Sequence, residues 1–223
     1  MTRMGKKLGS LGVGLLLALT LGNAVSAQTL NEIYVTESGV VWGAIFAFNP
    51  GVPSYVFVRG NGILAWINLE VPGAIVEVNL YGNVSLVERV PPGPISYKDG
   101  RIDRIGDLRF EYDSGKVRRA GDLRFDYYGW GLGQTGKISR IGDVPILIED
   151  GFLRRIGNVR LEYRDGVLSK IDDLLFVYED GRIKGIGGIQ FIYDYGTLKK
   201  VEGEIPGVAM KISSMVEFRR SIK

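Results

Sequence analysis

The sequence predicts an all-β protein: an antiparallel meander of short hairpin repeats, open or rolled, covered by a less regular β segment. Three observations lead there. Turn glycines recur at a fixed interval, apolar residues alternate with charged ones between them, and the chain before the repeats is apolar and rich in β-branched residues. Self-similarity of this kind marks a chain of supersecondary units that each need a neighbour to bury their apolar face.

Residues 1–27 come first. Arg3, Lys6 and Lys7 precede an apolar run from Leu8 to Leu21, and Val25 and Ala27 are small residues at the spacing signal peptidase requires. This reads as an export signal cleaved after Ala27. The run is shorter than the roughly 20 residues a spanning helix needs, and no later stretch reaches that length. An exported protein, periplasmic or secreted, with no transmembrane span after signal removal is expected. Three of the 28 Lys and Arg, and none of the 25 Asp and Glu, fall in residues 1–27, so the remainder carries 25 of each. The basic pI near 9.0 therefore reports mainly the signal, and gives no argument for a nucleic-acid partner.

Residues 28–96 form the apolar segment. Val40–Phe48, Tyr55–Val58, Ile63–Leu69 and Ala74–Tyr81 read as strands, separated by Asn49-Pro50-Gly51, Asn61-Gly62 and Val71-Pro72-Gly73. Gly82, Val84 and Val87 echo the columns of the later repeat, as a worn copy of it would. Pro91-Pro92-Gly93-Pro94 is the internal boundary.

The repeats occupy residues 97–204. Their turn glycines are Gly100, Gly115, Gly136, Gly151, Gly166, Gly181 and Gly196, spaced by 15 except for the 21 between Gly115 and Gly136. Two and five residues after each glycine stand aliphatic columns, such as Ile102 and Ile105. Leu108, Phe110 and Tyr112 alternate with Arg109 and Glu111, the period of a strand. Asp99-Gly100 suits a two-residue hairpin, which sets Tyr97 opposite Ile102. A three-residue loop at Ile105-Gly106-Asp107 then sets Ile102 opposite Phe110, Asp103 opposite Arg109 and Arg101 opposite Glu111. One face collects Tyr97, Ile102, Phe110 and Tyr112; the other collects pairs of opposite charge. Residues 205–223 are left as a C-terminal tail. A one-faced sheet must be covered, by residues 28–96, by closing on itself, or by a second copy.

The signature Tyr97-Lys98-Asp99-Gly100-Arg101-Ile102, recurring at Tyr178 to Ile183, resembles the tyrosine–aspartate repeats of large secreted bacterial proteins of the Rhs/teneurin type. Those also are strand–turn–strand units. Here the spacing from Tyr to Gly is one residue shorter and the period is shorter. The resemblance covers residues 97–200 and implies extracellular β-scaffolding, with no catalytic residues to carry over.

The chemistry open to the chain is narrow. It contains no cysteine and no histidine, which excludes disulfides, thiol nucleophiles, Ser-His-Asp triads and His-ligated metals. No cofactor is expected. A basic column stands four after the turn glycines, at Arg104, Arg119, Arg140, Arg155, Lys170 and Lys200. Stacked along a sheet, it would make a cationic stripe for an anionic glycan, lipid phosphate or acidic protein; the same residues also suit solubilising edge charges neutralised by Asp107, Asp122, Asp143 and Asp173. The lengthened unit carries Tyr128 and Trp130 among glycines, a contact loop for a sugar ring or protein, or a long turn folded onto the sheet. Aspartates in the turns fit backbone demands better than calcium. Asp172/Asp173 and Glu202/Glu204 are the carboxylate pairs a glycosidase would need. The reading is a non-enzymatic envelope or extracellular scaffold that binds an envelope glycan or protein. The alternatives are a carboxylate-dependent enzyme acting on an extracellular polymer and a self-associating structural module.

Overall fold

The structure, a computed structural model, describes residues 28–49, 52–71, 74–89, 94–130 and 134–213. The export signal and its cleavage point at Ala27 lie outside them. The described residues contain 21 strands and no helix. Six strands precede the proline boundary: β1 (Thr29–Thr36), β2 (Val41–Phe48), β3 (Ser54–Arg59), β4 (Leu64–Val71), β5 (Ala74–Val78) and β6 (Val84–Arg89). The repeats supply fourteen. They are β7 (Ile95–Lys98), β8 (Arg101–Ile105), β9 (Leu108–Asp113), β10 (Lys116–Ala120), β11 (Leu123–Tyr127), β12 (Ile138–Ile141) and β13 (Val144–Glu149), then β14 (Phe152–Ile156), β15 (Val159–Arg164), β16 (Val167–Ile171), β17 (Leu174–Glu179), β18 (Arg182–Ile186), β19 (Ile189–Asp194) and β20 (Thr197–Glu202). A last strand, β21 (Ala209–Ser213), lies in the expected tail and pairs in parallel with β1.

Two sheets result. The first is seven-stranded, in the order β21-β1-β2-β3-β4-β5-β6; the second is an unclosed 14-stranded antiparallel meander from β7 to β20. They share one apolar core, in which Ile33, Phe46 and Leu69 of the first sheet join Ile105, Ile138 and Ile156 of the second. The less regular segment thus covers the face that the repeats cannot leave in water.

The hairpin turns are as the sequence predicts. Tyr97 pairs with Ile102 across Asp99 (φ 51°) and Gly100 (φ 74°), the doubly positive φ of a type I′ turn. The other loop is one residue tighter than expected. Ile105 pairs with Leu108 and Arg104 with Arg109, leaving two loop residues, Gly106 and Asp107. The predicted pairs of Ile102 with Phe110, Asp103 with Arg109 and Arg101 with Glu111 are therefore out of register by one. The reason is a β-bulge. Ser96 pairs with Arg104 but Tyr97 with Ile102, so one residue of β8 is extra. The bulge brings Ile102 and Ile105, three apart, onto one buried face (4% and 0% exposed), which unbroken alternation cannot do. All seven repeat hairpins carry the irregularity. Tyr97, expected on the apolar face, is 61% exposed on the first strand, with no earlier repeat beside it.

Neighbouring hairpins join through few ladder pairs, as at β8–β9 and β10–β11. A tyrosine bridges the rest of the gap at five of the six junctions; at β12–β13 its place is taken by Ile148. Tyr112 donates its hydroxyl to the Ile102 carbonyl (2.7 Å), Tyr163 to Leu153 (2.9 Å), Tyr178 to Leu168 (2.8 Å) and Tyr193 to Ile183 (2.8 Å), and Tyr127 reaches Val117 in the same way. Burial raises the pKa of these phenols; Tyr112 is pushed up to about 12, with Arg101 acting in the opposite direction.

The bulged amides are satisfied by the first sheet. Its three hairpins end in three-residue loops, 37–39, 60–62 and 80–82, each closing on a positive-φ glycine: Gly39, Gly62 and Gly82. The first and third carbonyls of each loop accept from two successive repeats. Glu37 and Gly39 accept from Leu198 and Ile183, Gly60 and Gly62 from Leu168 and Leu153, and Leu80 and Gly82 from Ile138 and Val117, all at 2.8–2.9 Å. One front hairpin thus serves two repeats, and backbone groups that leave the ladder find partners as burial demands.

Candidate functional site

The tighter loop changes what the basic column is. Residues directly opposite in an antiparallel pair project to the same face. Arg104 stands opposite Arg109, Arg119 opposite Arg124, and Arg155 opposite Arg160. Arg140 stands opposite Pro145. All seven arginines are exposed, on the face turned away from the shared core. Opposite-sign pairs were expected here; like-charged pairs are found at three of the four junctions from β8 to β15.

Acidic neighbours offset this only in part. Glu111 is opposite Arg119 and Asp126 opposite Arg140. Of the seven, Arg124 alone forms an ion pair with a described residue, Asp126 at 2.7 Å. The stripe ends after β15. Lys170 lies opposite Leu175 and 3.8 Å from Glu162, and the next position is Gly185, opposite Gln190. Leu175, Val177 and Ile192 are exposed there instead. The stripe is therefore confined to β8–β15.

Arg109, Arg124 and Arg160 were not singled out in the sequence. A signal was present: they stand nine after Gly100, Gly115 and Gly151. Only the two-residue loop brings that column opposite the first. The loop is also where repeats stack, since Gly121 N–H donates to the Arg109 carbonyl and Gly142 N–H to that of Arg124, both at 2.8 Å. The arginine backbone is thereby held in a repeating frame.

Tyr128 and Trp130 are not brought to this stripe. They extend the Asp-Gly end of their hairpin, whereas the arginines flank the opposite loop. Tyr128 is fixed to the scaffold: its amide donates to Lys137, its carbonyl accepts from Gly136, and its hydroxyl reaches the Ile146 carbonyl at 2.6 Å. Trp130 is 99% exposed. The lengthened turn thus presents one aromatic side chain, not two.

The carboxylate pairs are occupied by backbone and lysine. Asp172 takes the positive-φ position of its loop (φ 47°), and its carboxylate accepts from Arg160 N–H at 2.9 Å. Glu202 is 2.5 Å from Lys200. A cleft of about 700 Å³ opens where β16 and β17 part, lined by Val41, Glu162, Lys170, Phe176 and Tyr178 among others. Its Glu162 is the one paired with Lys170. Among the described residues no group of three or more Asp and Glu is placed to hold a metal ion, and no helix is long and apolar enough to cross a membrane.

No family model, no curated protein and no solved structure matches the chain.

Proposed function

We propose that the protein is an exported, non-enzymatic β-repeat scaffold that binds an anionic glycan of the cell envelope or extracellular space along the outer face of β8–β15. One observation carries this reading: at three of the four junctions between β8 and β15, two arginines stand directly opposite one another, and at the fourth, β12–β13, Arg140 faces Pro145. Like charges opposite each other destabilise a sheet by a few tenths to about 1 kcal/mol per pair. A repeating polyanion relieves that repulsion at every pair at once. The export signal and the resemblance to extracellular tyrosine–aspartate scaffolds point the same way.

Binding to heparin and polygalacturonate, with dextran as the neutral control, tests it. Both polyanions should bind and dextran should not, and affinity should fall steeply with salt, since exposed charges are screened within about 8–10 Å at physiological ionic strength. Arg104→Glu with Arg109→Glu should weaken binding roughly tenfold, about 1.4 kcal/mol, and flatten the salt dependence. Equal binding to dextran, or an unchanged affinity in that variant, would refute the reading.

The exposed aliphatics Leu175, Val177 and Ile192 favour a second reading, self-association through β17–β19. Sedimentation of the chain with and without Leu175→Lys and Val177→Lys separates the two. A monomer in both samples ends the second reading.

A further inference from the structure

The second sheet starts and stops halfway through a repeat. Inside it, each strand that follows a turn glycine, such as β8, runs through a short loop into a strand of a second kind, such as β9. β7 is of the second kind with no strand of the first kind before it. β20 is of the first kind with no strand of the second kind after it.

Both end strands keep the frame of the repeat. Gly106 N–H donates to the Pro94 carbonyl (3.1 Å), as Gly121 N–H does to that of Arg109 and Gly157 N–H to that of Pro145 (both 2.8 Å). Pro94 therefore holds the place of Arg109 and Pro145, and Tyr97 the place of Tyr112. At the other end, Leu198 N–H donates to the Glu37 carbonyl as Ile183 N–H does to that of Gly39. Leu198 thus holds the place of Ile183, whose carbonyl accepts from Tyr193, ten residues on. Ten residues after Leu198 stands Val208. The chain does not turn back along β20: Gly203 and Ile205 lie against Gly188 and Gly187 of the preceding loop, and β21 joins the first sheet.

One end thus presents a tyrosine hydroxyl without its carbonyl, and the other a carbonyl without its tyrosine. Tyr97 is 61% exposed, and its hydroxyl bonds to no described residue. An open sheet edge is a row of unpaired N–H and C=O groups that templates another strand. The end strands of the first sheet also show apolar side chains to solvent, Val87 on β6 and Ile212 on β21.

We propose that copies of the chain join head to tail, with β20 of one antiparallel to β7 of the next. The next copy's Tyr97 donates to the Leu198 carbonyl, and its Pro94 stands opposite Lys200. A cation opposite proline already occurs inside the sheet, where Arg140 faces Pro145, so proline does not bar the pairing. Such an interface is heterologous and builds a filament or a ring. It uses neither the arginine rows nor Leu175 and Val177, and stands independently of the glycan reading.

The chain holds no cysteine, so an engineered pair reports the contact. Residues opposite in an antiparallel pair have Cα atoms about 4.5–5.5 Å apart, a separation a disulfide spans. Within one chain, positions 94 and 200 flank opposite ends of the 14-stranded sheet. Pro94→Cys with Lys200→Cys should give a ladder of dimers, trimers and longer species on mild oxidation. The two single variants mixed should stop at the dimer, and each alone should stay monomeric. Sedimentation of the unmodified chain should show concentration-dependent association. Tyr97→Phe should weaken it severalfold, whereas Leu175→Lys with Val177→Lys should leave it intact. If Pro94→Cys does not fold, this sedimentation comparison decides. A monomer at every concentration, association unchanged by Tyr97→Phe, or single variants that cross-link as well as their mixture overturns the proposal.

Discussion

The tyrosine column serves the scaffold rather than a ligand. In the sequence these tyrosines read as part of the apolar face, alternating with charged residues. Each hydroxyl instead closes the gap between two hairpins by donating to a carbonyl that the bulge has turned out of the ladder. Replacing Tyr178 by Phe should cost about 1 kcal/mol, the net worth of one hydrogen bond, read as a lower urea midpoint. The same residues set an alkaline limit. An unfolded tyrosine titrates near 10, whereas burial holds Tyr112 at about 12 and pushes Tyr163 and Tyr178 further up. The folded protein keeps protons that the unfolded chain releases. This contribution is complete below about pH 10 and is lost as pH rises through the folded values. Urea midpoints should therefore fall between pH 9 and 11.5, and less steeply in Tyr178→Phe. With no histidine in the chain, side chains of ordinary pKa give little change between pH 6 and 8.

At the scale of the element, the hairpin was readable up to its first turn. Asp-Gly pairs announce both positive-φ positions, and Asp99, Asp150, Asp165 and Asp180 all adopt φ near 50°. The second loop and everything across it were not readable by alternation, because period two has no place for a bulge. Yet Ile102 and Ile105 stand three apart, and two apolar columns at odd spacing on one strand already require an extra residue between them. Strands β1 and β21 were missed for a different reason. Each reads as ordinary chain until its partner is known, and they are partners of each other. The glycines differ in the same contextual way. Gly62 and Gly166 have similar φ, 81° and 76°. A Cβ at Gly166 meets nothing, whereas at Gly62 it would come within 2.6 Å of Phe152 and 2.9 Å of Tyr163. Gly166→Ala should cost about 1–2 kcal/mol from backbone conformation, and Gly62→Ala a further 1–3 kcal/mol or so from crowding. Comparable melting temperatures for the two variants would contradict the tip-on-repeat contact.

At the scale of the molecule, three front hairpins meet six repeats two by two, and the first repeat stands outside the scheme. Size and stability then part company. Removing one repeat, Val167 to Gly181, takes out 15 residues but leaves a front carbonyl without its amide. Removing Ser54 to Gly73 together with Phe152 to Gly181 takes out 50 residues, yet it deletes one front hairpin and both repeats it serves. The larger deletion should keep a cooperative thermal transition, followed by circular dichroism, and the smaller should melt lower or not fold. The reverse order would show that the tips do not set the phase. The same pairing accounts for what the candidate site shares with the fold. The arginine rows are in register because every repeat after the first is placed against the front sheet individually, and accumulated slippage along the meander is not tolerated.

That pairing also fixes an order in time. Its closures are nested: the loop at Gly82 meets Val117, the loop at Gly62 meets Leu153, and Glu37 meets Leu198. The innermost closure joins segments made close together, while the outermost must wait for nearly the last strand. Long-range closures form slowly because the chain between them loses its freedom first. A chain threaded across a membrane from its N-terminus would zip from the middle outward. Its first strand, β1, would stay without its second neighbour until β21 arrives.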